Sequence, residues 1–347
     1  MKIAFLLPMP TTKIVGGYKI VYDYANYLAK KNNEVTIFFD SNKGQNSKGL
    51  PRYMIYLLRN VICYFEPRWF KLSKKVKKVN LYSFKKNFFE NYDIVISTAA
   101  ETAVFADQLS VAKKIYLIQD FESNWALEHD KLIQTYNYNM NLVVISKWLK
   151  KKVTEVSSNQ VTYIPNGIDR NVFFNKHYNR PDHSICMLYH LDARKDFDTG
   201  YKVLMRLKSK FPDLVVNIFG TPKRPKNWPN WMKYTRLAKP NQVSELMNHS
   251  SVFLCTSEKE GFGLTGLESI FCGCTFVTTD CGGVREYASQ KNALISPVGD
   301  VESLVANISL AFESEKLKNE FLKENLKTIN NFDLAKSRDK FEKVVTG

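Results

Sequence analysis

The stretch SEKEGFGLTGLESIFCGCTFVTTDCGGVREY, residues 257–287, decides the fold. It follows the β-rich run SVFLCTS (251–257) and contains a second one, TFVTTD (275–280). Gly273 stands where a glycine closes a helix, so the spacing predicts a helix that begins near Thr265. Strand, loop, helix and strand in this order is the unit of a parallel sheet, whose crossovers need a helix. EGFG at 260–263 is then a strand-to-helix loop at the carboxyl edge, where open α/β sheets bind ligands. Gly261 and Gly263 lack Cβ atoms, so backbone there can come close to a ligand. The next helix offers unpaired N–H groups and a positive dipole end to a phosphate. Glu260 ends the strand, and Glu268 sits about one turn into the helix at the same mouth. A carboxylate accepts two hydrogen bonds from a vicinal diol. Two such clamps around a phosphate cradle describe a nucleotide-sugar site.

The same alternation extends in both directions. Strands are expected at KIAFLLP, EVTIFF, DIVIST, KIYLIQD, LVVIS and VTYIP in the first half. In the second they are expected at ICMLYH, LVVNIFG, SVFLCTS, TFVTTD and ALISPV. Most are continuous apolar runs, as in a parallel sheet covered on both faces. Val21, Tyr24, Ala25 and Leu28 give residues 17–30 one apolar stripe at helical spacing. The fold class is α/β, with two doubly wound Rossmann-like domains. Residues 1–168 form the first and 169–330 the second, joined at PNGID (165–169). Residues 331–347 form an amphipathic C-terminal helix.

Composition agrees with a two-domain enzyme: 347 residues, 44% apolar and 24% charged. Pro8 and Pro10 interrupt the short apolar N-terminal run, and no stretch is long enough to span a bilayer. Six scattered cysteines read as reduced core thiols in a cytoplasm. The net charge of +16 calls for a polyanionic partner. No nucleic-acid-binding signature is visible, so nucleic acid is not expected. Residues 51–90 interleave aromatics with lysines and carry few acids. They read either as a helical insertion with solvated lysines or as a surface lying on an anionic membrane. On the second reading Lys71, Lys74, Lys75, Lys77 and Lys78 face lipid phosphates, and Tyr64, Trp69 and Phe70 sit at headgroup level. The protein is then cytoplasmic and peripheral on the inner face of the membrane.

The order and spacing of residues 257–287 closely resemble the signature of retaining GT-B glycosyltransferases of family 4. Thr265 stands where that family commonly has proline. The resemblance implies two domains facing a cleft and a retaining, metal-independent transferase with no cofactor beyond its donor. The donor is a nucleotide-diphosphate sugar, a dTDP- or UDP-sugar, held by the second domain. Glu268 would hold the ribose and Glu260 the sugar hydroxyls. Gly261, Phe262, Gly263, Leu264 and Thr265 would line the diphosphate. DARKDF (192–197) resembles the family's basic site and makes Arg194 and Lys195 the diphosphate cations, although Asp196 stands where the family has glycine. VGGYKIVYDYANYLAKKNNEVTIFF resembles the family's first loop and helix, in which Gly16 and Gly17 approach donor or acceptor. YLIQDFESNW (116–125) resembles rhamnosyltransferase-like members, with Gln119 and a catalytic Asp120 where many relatives have histidine. A 6-deoxy sugar gives that histidine nothing to bond, which favours a donor such as dTDP-rhamnose. The acceptor would be lipid-linked or a glycan, in cell-surface polysaccharide assembly. Two other readings stay open: a nucleotide-sugar epimerase, and a non-catalytic partner of an active transferase.

Overall fold

A computed structural model of the protein describes residues 1–41, 50–122 and 128–347. The chain divides into two compact units, Met1–Pro165 with Arg338–Gly347, and Asn166–Ser337. The division falls inside the Pro-Asn-Gly stretch. Gly167 is required there, because a Cβ would collide with the backbone of Leu334.

The first unit runs β1 (Lys2–Leu7), α1 (Gly16–Lys30), β2 (Glu34–Asp40), α2 (Arg52–Phe65), β3 (Val76–Leu81) and β4 (Ile94–Ser97). It continues with α3 (Ala100–Asp107), β5 (Lys113–Ile118), α4 (His129–Thr135), β6 (Asn141–Val144), α5 (Lys147–Thr154) and β7 (Val161–Tyr163). Among the described residues its sheet is parallel, in the order β3-β2-β1-β4-β5-β6-β7. Ile3 to Leu7 are fully buried, as continuous apolar runs require in a sheet covered on both faces.

The second unit runs β8 (Ser184–Tyr189), α6 (Phe197–Lys210), β9 (Val215–Gly220), β10 (Met232–Arg236), α7 (Pro240–Asn248) and β11 (Val252–Cys255). Then come α8 (Leu264–Phe271), β12 (Thr275–Thr279), β13 (Ala293–Ser296), α9 (Val301–Glu313) and α10 (Glu315–Asn331). Its parallel sheet has the order β10-β9-β8-β11-β12-β13. Ile185, Val203, Leu204, Val216, Val252, Leu304 and Ile308 form its core. Strand order reverses between β8 and β11, and in the first unit between β1 and β4. Loops leaving two such strands run to opposite faces and open a crevice at the carboxyl edge.

The last helix, α11 (Leu334–Thr346), begins in the second unit and continues into the first. In the second unit, Leu334 N–H donates to the Ile168 carbonyl at 3.3 Å. In the first, the Phe341 ring stacks on Tyr24 with centroids 4.0 Å apart and planes 8° from parallel. Arg338 Nε donates to Asp23 at 2.8 Å.

The sequence reading of residues 51–90 as a helical insertion needs correction. Only Arg52–Phe65 is α-helical there, and Val76–Leu81 pairs along β2 as the edge of the sheet itself. Lys77 on that strand is exposed, and charge on an edge strand discourages pairing with another chain.

Candidate functional site

The site of the second unit is built from the loops that leave β8 and β11. After β8 a turn of 3-10 helix, Ala193–Lys195, leads into α6. Asp196 joins the two with a left-handed backbone, φ 39°. Glycine adopts that conformation freely and aspartate tolerates it. Asp196 also caps α6 by accepting from Thr199 N–H at 3.2 Å. This explains how aspartate serves where the resembled family has glycine.

Arg194 and Lys195 leave this turn in different directions. Arg194 folds back on Asp192, with Nη2 to Oδ2 at 2.7 Å and Nε to Oδ1 at 3.1 Å. Those hydrogen bonds hold the Asp192 carboxyl below its ordinary value. Lys195 Nζ reaches across to Glu260, 2.6 Å from Oε1 and 2.7 Å from Oε2. Ser257 Oγ donates to the same Oε1 at 2.7 Å. Burial works against the Lys195 charge, but the carboxylate offsets it and holds the ammonium above its ordinary pKa. The backbones are tied as well: Glu258 N–H donates to the Arg194 carbonyl at 2.7 Å. The Thr256 hydroxyl donates to the Asp196 carbonyl at 2.8 Å.

Glu260 is fixed on its other side by the strand end after β12. Its N–H donates to the Cys281 carbonyl at 2.8 Å, and its carbonyl accepts from Gly283 N–H at 2.9 Å. A Cβ on Gly283 would lie 2.5 Å from Gly261 and Phe262 backbone, so this close approach needs glycine. Gly263 starts α8 with φ 79°, and a Cβ there would lie 2.8 Å from the Tyr287 hydroxyl. That hydroxyl donates to the Gly263 carbonyl at 2.6 Å. No side chain caps α8 and no acid lies in its first turn. Its amino end, with half-buried Leu264 and Thr265, is therefore suited to an external anion.

Two expected donor residues lie deeper than a simple loop picture suggests. Phe262 is 3% exposed, and its ring packs on Tyr287 and Phe332. Glu268 is 5% exposed, in the second turn of α8. Burial foremost, then Cys274 and the nearby Glu268 charge, pushes the Cys272 thiol up to about 12.

In the first unit, Gly17 and the loop after β5 come together. A Cβ on Gly17 would lie 3.3 Å from the Gln119 side-chain amide. Exposed Gly16 precedes it at the start of α1, which no side chain caps. Asp120 is half-buried and accepts from Phe121 N–H at 2.8 Å. Ser123, Asn124 and Trp125 of the quoted run lie outside the described residues.

Sequence reasoning passed over Ser257 and Glu122. Ser257 stands three residues before Glu260, on the same strand end. Glu122 is buried and accepts from Ala100 N–H at 2.9 Å, the first amide of α3. Burial pushes its carboxyl up to about 7, and Asp120 and Glu101 add to the rise. The one signal was an acid just after a buried strand, two residues beyond Asp120.

Two parallel-sheet Rossmann-like α/β domains of this kind make the GT-B fold. Residues 169–328, nearly all of the second unit, match the family model of glycosyl transferases group 1. An uncharacterized glycosyltransferase of Methanocaldococcus jannaschii is 24% identical over 189 residues, 51% of this chain and 51% of that protein. The chain thus matches about half the length of that relative. The N,N'-diacetylbacillosaminyl-diphospho-undecaprenol alpha-1,3-N-acetylgalactosaminyltransferase of Campylobacter jejuni is 34% identical over 83 residues, 24% of this chain and 22% of that one. Among solved structures, Anabaena HepE in complex with UDP and glucose has a TM-score of 0.76 at 14% identity, covering 100% of this chain and 99% of that one.

Proposed function

We propose that the protein is a retaining, metal-independent glycosyltransferase that uses a nucleotide-diphosphate sugar. The observation that carries this reading is the Lys195–Glu260 pair at the β8/β11 switch point, beside the uncapped amino end of α8. A phosphate-sized anion suits the α8 amides. Lys195 then stabilises the charge that grows on the departing diphosphate, with Arg194 released from Asp192 as a second cation. Glu260, released by Lys195, accepts from sugar hydroxyls. Glu268 accepts from the ribose diol.

The acceptor hydroxyl attacks the anomeric carbon on the face that the diphosphate leaves. A C–O bond to the acceptor forms as the C–O bond to phosphate breaks, and the departing phosphate oxygen takes the acceptor proton. The first unit holds the acceptor, with Gly16, Gly17 and Asp120 at its site. A UDP- or dTDP-linked hexose or deoxyhexose such as rhamnose is the donor class. A lipid-linked or glycan acceptor in surface polysaccharide assembly fits the strong positive charge, and the name of the Campylobacter relative includes diphospho-undecaprenol.

The test is calorimetric titration with UDP, dTDP, GDP and ADP, without added metal, on wild type and Glu268→Ala. Selective binding of one nucleotide, weakened in the variant by about tenfold or more, is the expected result. Absence of binding to all four would overturn the reading and favour the non-catalytic partner. The same holds if wild type fails to hydrolyse the matching nucleotide sugar.

A further inference from the structure

Helix α2 is built inside out for a soluble protein. Seven of its fourteen residues are exposed apolar or aromatic side chains: Tyr53, Met54, Leu57, Leu58, Val61, Tyr64 and Phe65. At helical spacing they fill one continuous face about 140° wide. Tyr53 at one end is 63% exposed and Tyr64 at the other 80%. The inward face is the one that carries polar bonds. Arg59 donates to the Ser41 carbonyl at 2.6 Å, and Asn60 accepts from Asn80 at 3.0 Å. Only Ile55 and Cys63 of the helix are buried. A contiguous apolar face of this size marks an interaction site.

Charge selects the partner. The helix contains no Asp or Glu, and Arg52 at its start is exposed. Just beyond it, exposed Lys71 and Lys74 rim a cavity of about 300 Å³ that Phe65, Pro67 and Phe70 also line, and Lys75 is exposed beside them. Apolar side chains in one plane, tyrosines at both ends and cations at the margin match the layers of an anionic lipid surface. No helix among the described residues is long and apolar enough to cross a membrane, so the contact is in-plane.

We infer that α2 seats the protein on an anionic bilayer, with its apolar face at the acyl boundary and Lys71, Lys74 and Lys75 at lipid phosphates. This deepens the proposed function by placing its acceptor at a lipid surface. It also corrects the contact expected from sequence. Trp69 and Phe70 pack on Tyr22, with ring centroids 5.9 and 5.6 Å away. Lys77 pairs with Glu34 at 2.8 Å. Lys78 donates to the carbonyls of Cys63, Tyr64 and Glu66 at the end of α2. These four residues therefore hold the surface together and do not face the lipid.

The test is co-sedimentation of the full chain with vesicles of phosphatidylcholine, with and without phosphatidylserine. Wild type should pellet with the anionic vesicles only. Leu57→Ser/Leu58→Ser/Val61→Ser, and separately Lys71→Glu/Lys74→Glu/Lys75→Glu, should each lower the bound fraction about tenfold or more. Both variants should keep wild-type melting. Wild type that stays in the supernatant overturns the inference, as does either variant pelleting like wild type. So does a dimer in solution that the serine variant dissociates, since the face would then belong to a second copy. Nucleotide titration of the same samples reads the donor site separately, so failure of one reading leaves the other standing.

Discussion

Lys195 and Glu260 belong to different loops, yet each is the other's closest charged partner. Their side chains are 26% and 10% exposed, so neither charge is well hydrated alone. Lys195→Met leaves the carboxylate with Ser257 as its remaining side-chain donor. The expected loss of stability is about 1–3 kcal/mol, below that of a fully buried pair because Lys195 keeps some solvent. Lys195→Met/Glu260→Gln should recover most of it in urea titrations. Turnover should not recover, and kcat should stay about 100-fold down or more in both proteins. Normal turnover by Lys195→Met would remove the lysine from the mechanism. The sequence showed Glu260 and its glycines because they form one short string. The pairing of residues so far apart in the chain was illegible until the two loops met.

At the scale of elements, the central strands were legible as unbroken apolar runs. So were the edges β7 and β13, but the edges β3 and β10 were not: VKKVNL and MKYTR mix lysine and arginine into a pattern that looks like loop. An edge strand buries less and must resist pairing, so its composition can lose the signal. Helix α3 hides a second feature, the buried Glu122 at its first amide. Its carboxyl titrates near 7 in the folded protein, against an ordinary value of 4.5. The folded state therefore holds a proton that the unfolded chain gives up. The resulting stability is full below about pH 4.5 and is lost as pH rises to about 7, a change of order 3 kcal/mol. Glutamine imitates the protonated form. Glu122→Gln should thus gain on wild type in melting temperature as pH rises from about 5 to about 8. A gap that stays constant over that range would contradict the assignment.

At the scale of the molecule, the amphipathic pattern of residues 332–345 announced a helix but not its destination. The destination depends on Asp23, Tyr24 and Tyr27 in α1, which meet Arg338, Phe341 and Asp339. Phe341 is 1% exposed, and Phe341→Ala should cost the first unit about 3–4 kcal/mol. Denaturant titration followed by circular dichroism should show an earlier transition for that unit. Calorimetric nucleotide binding to the second unit should survive. An unchanged denaturation curve would mean that α11 adds little to the first unit.

That same helix sets an order of completion during synthesis. Residues 338–345 leave the ribosome after Asn166–Ser337, the whole of the second unit. At ordinary elongation rates the interval is roughly ten seconds to half a minute. Throughout it, Asp23 lacks Arg338 and Tyr24 lacks its stacked ring. The half translated first is thus the half finished last, with an acid and an aromatic of its core open to the solvent or to a chaperone until translation reaches the end of α11.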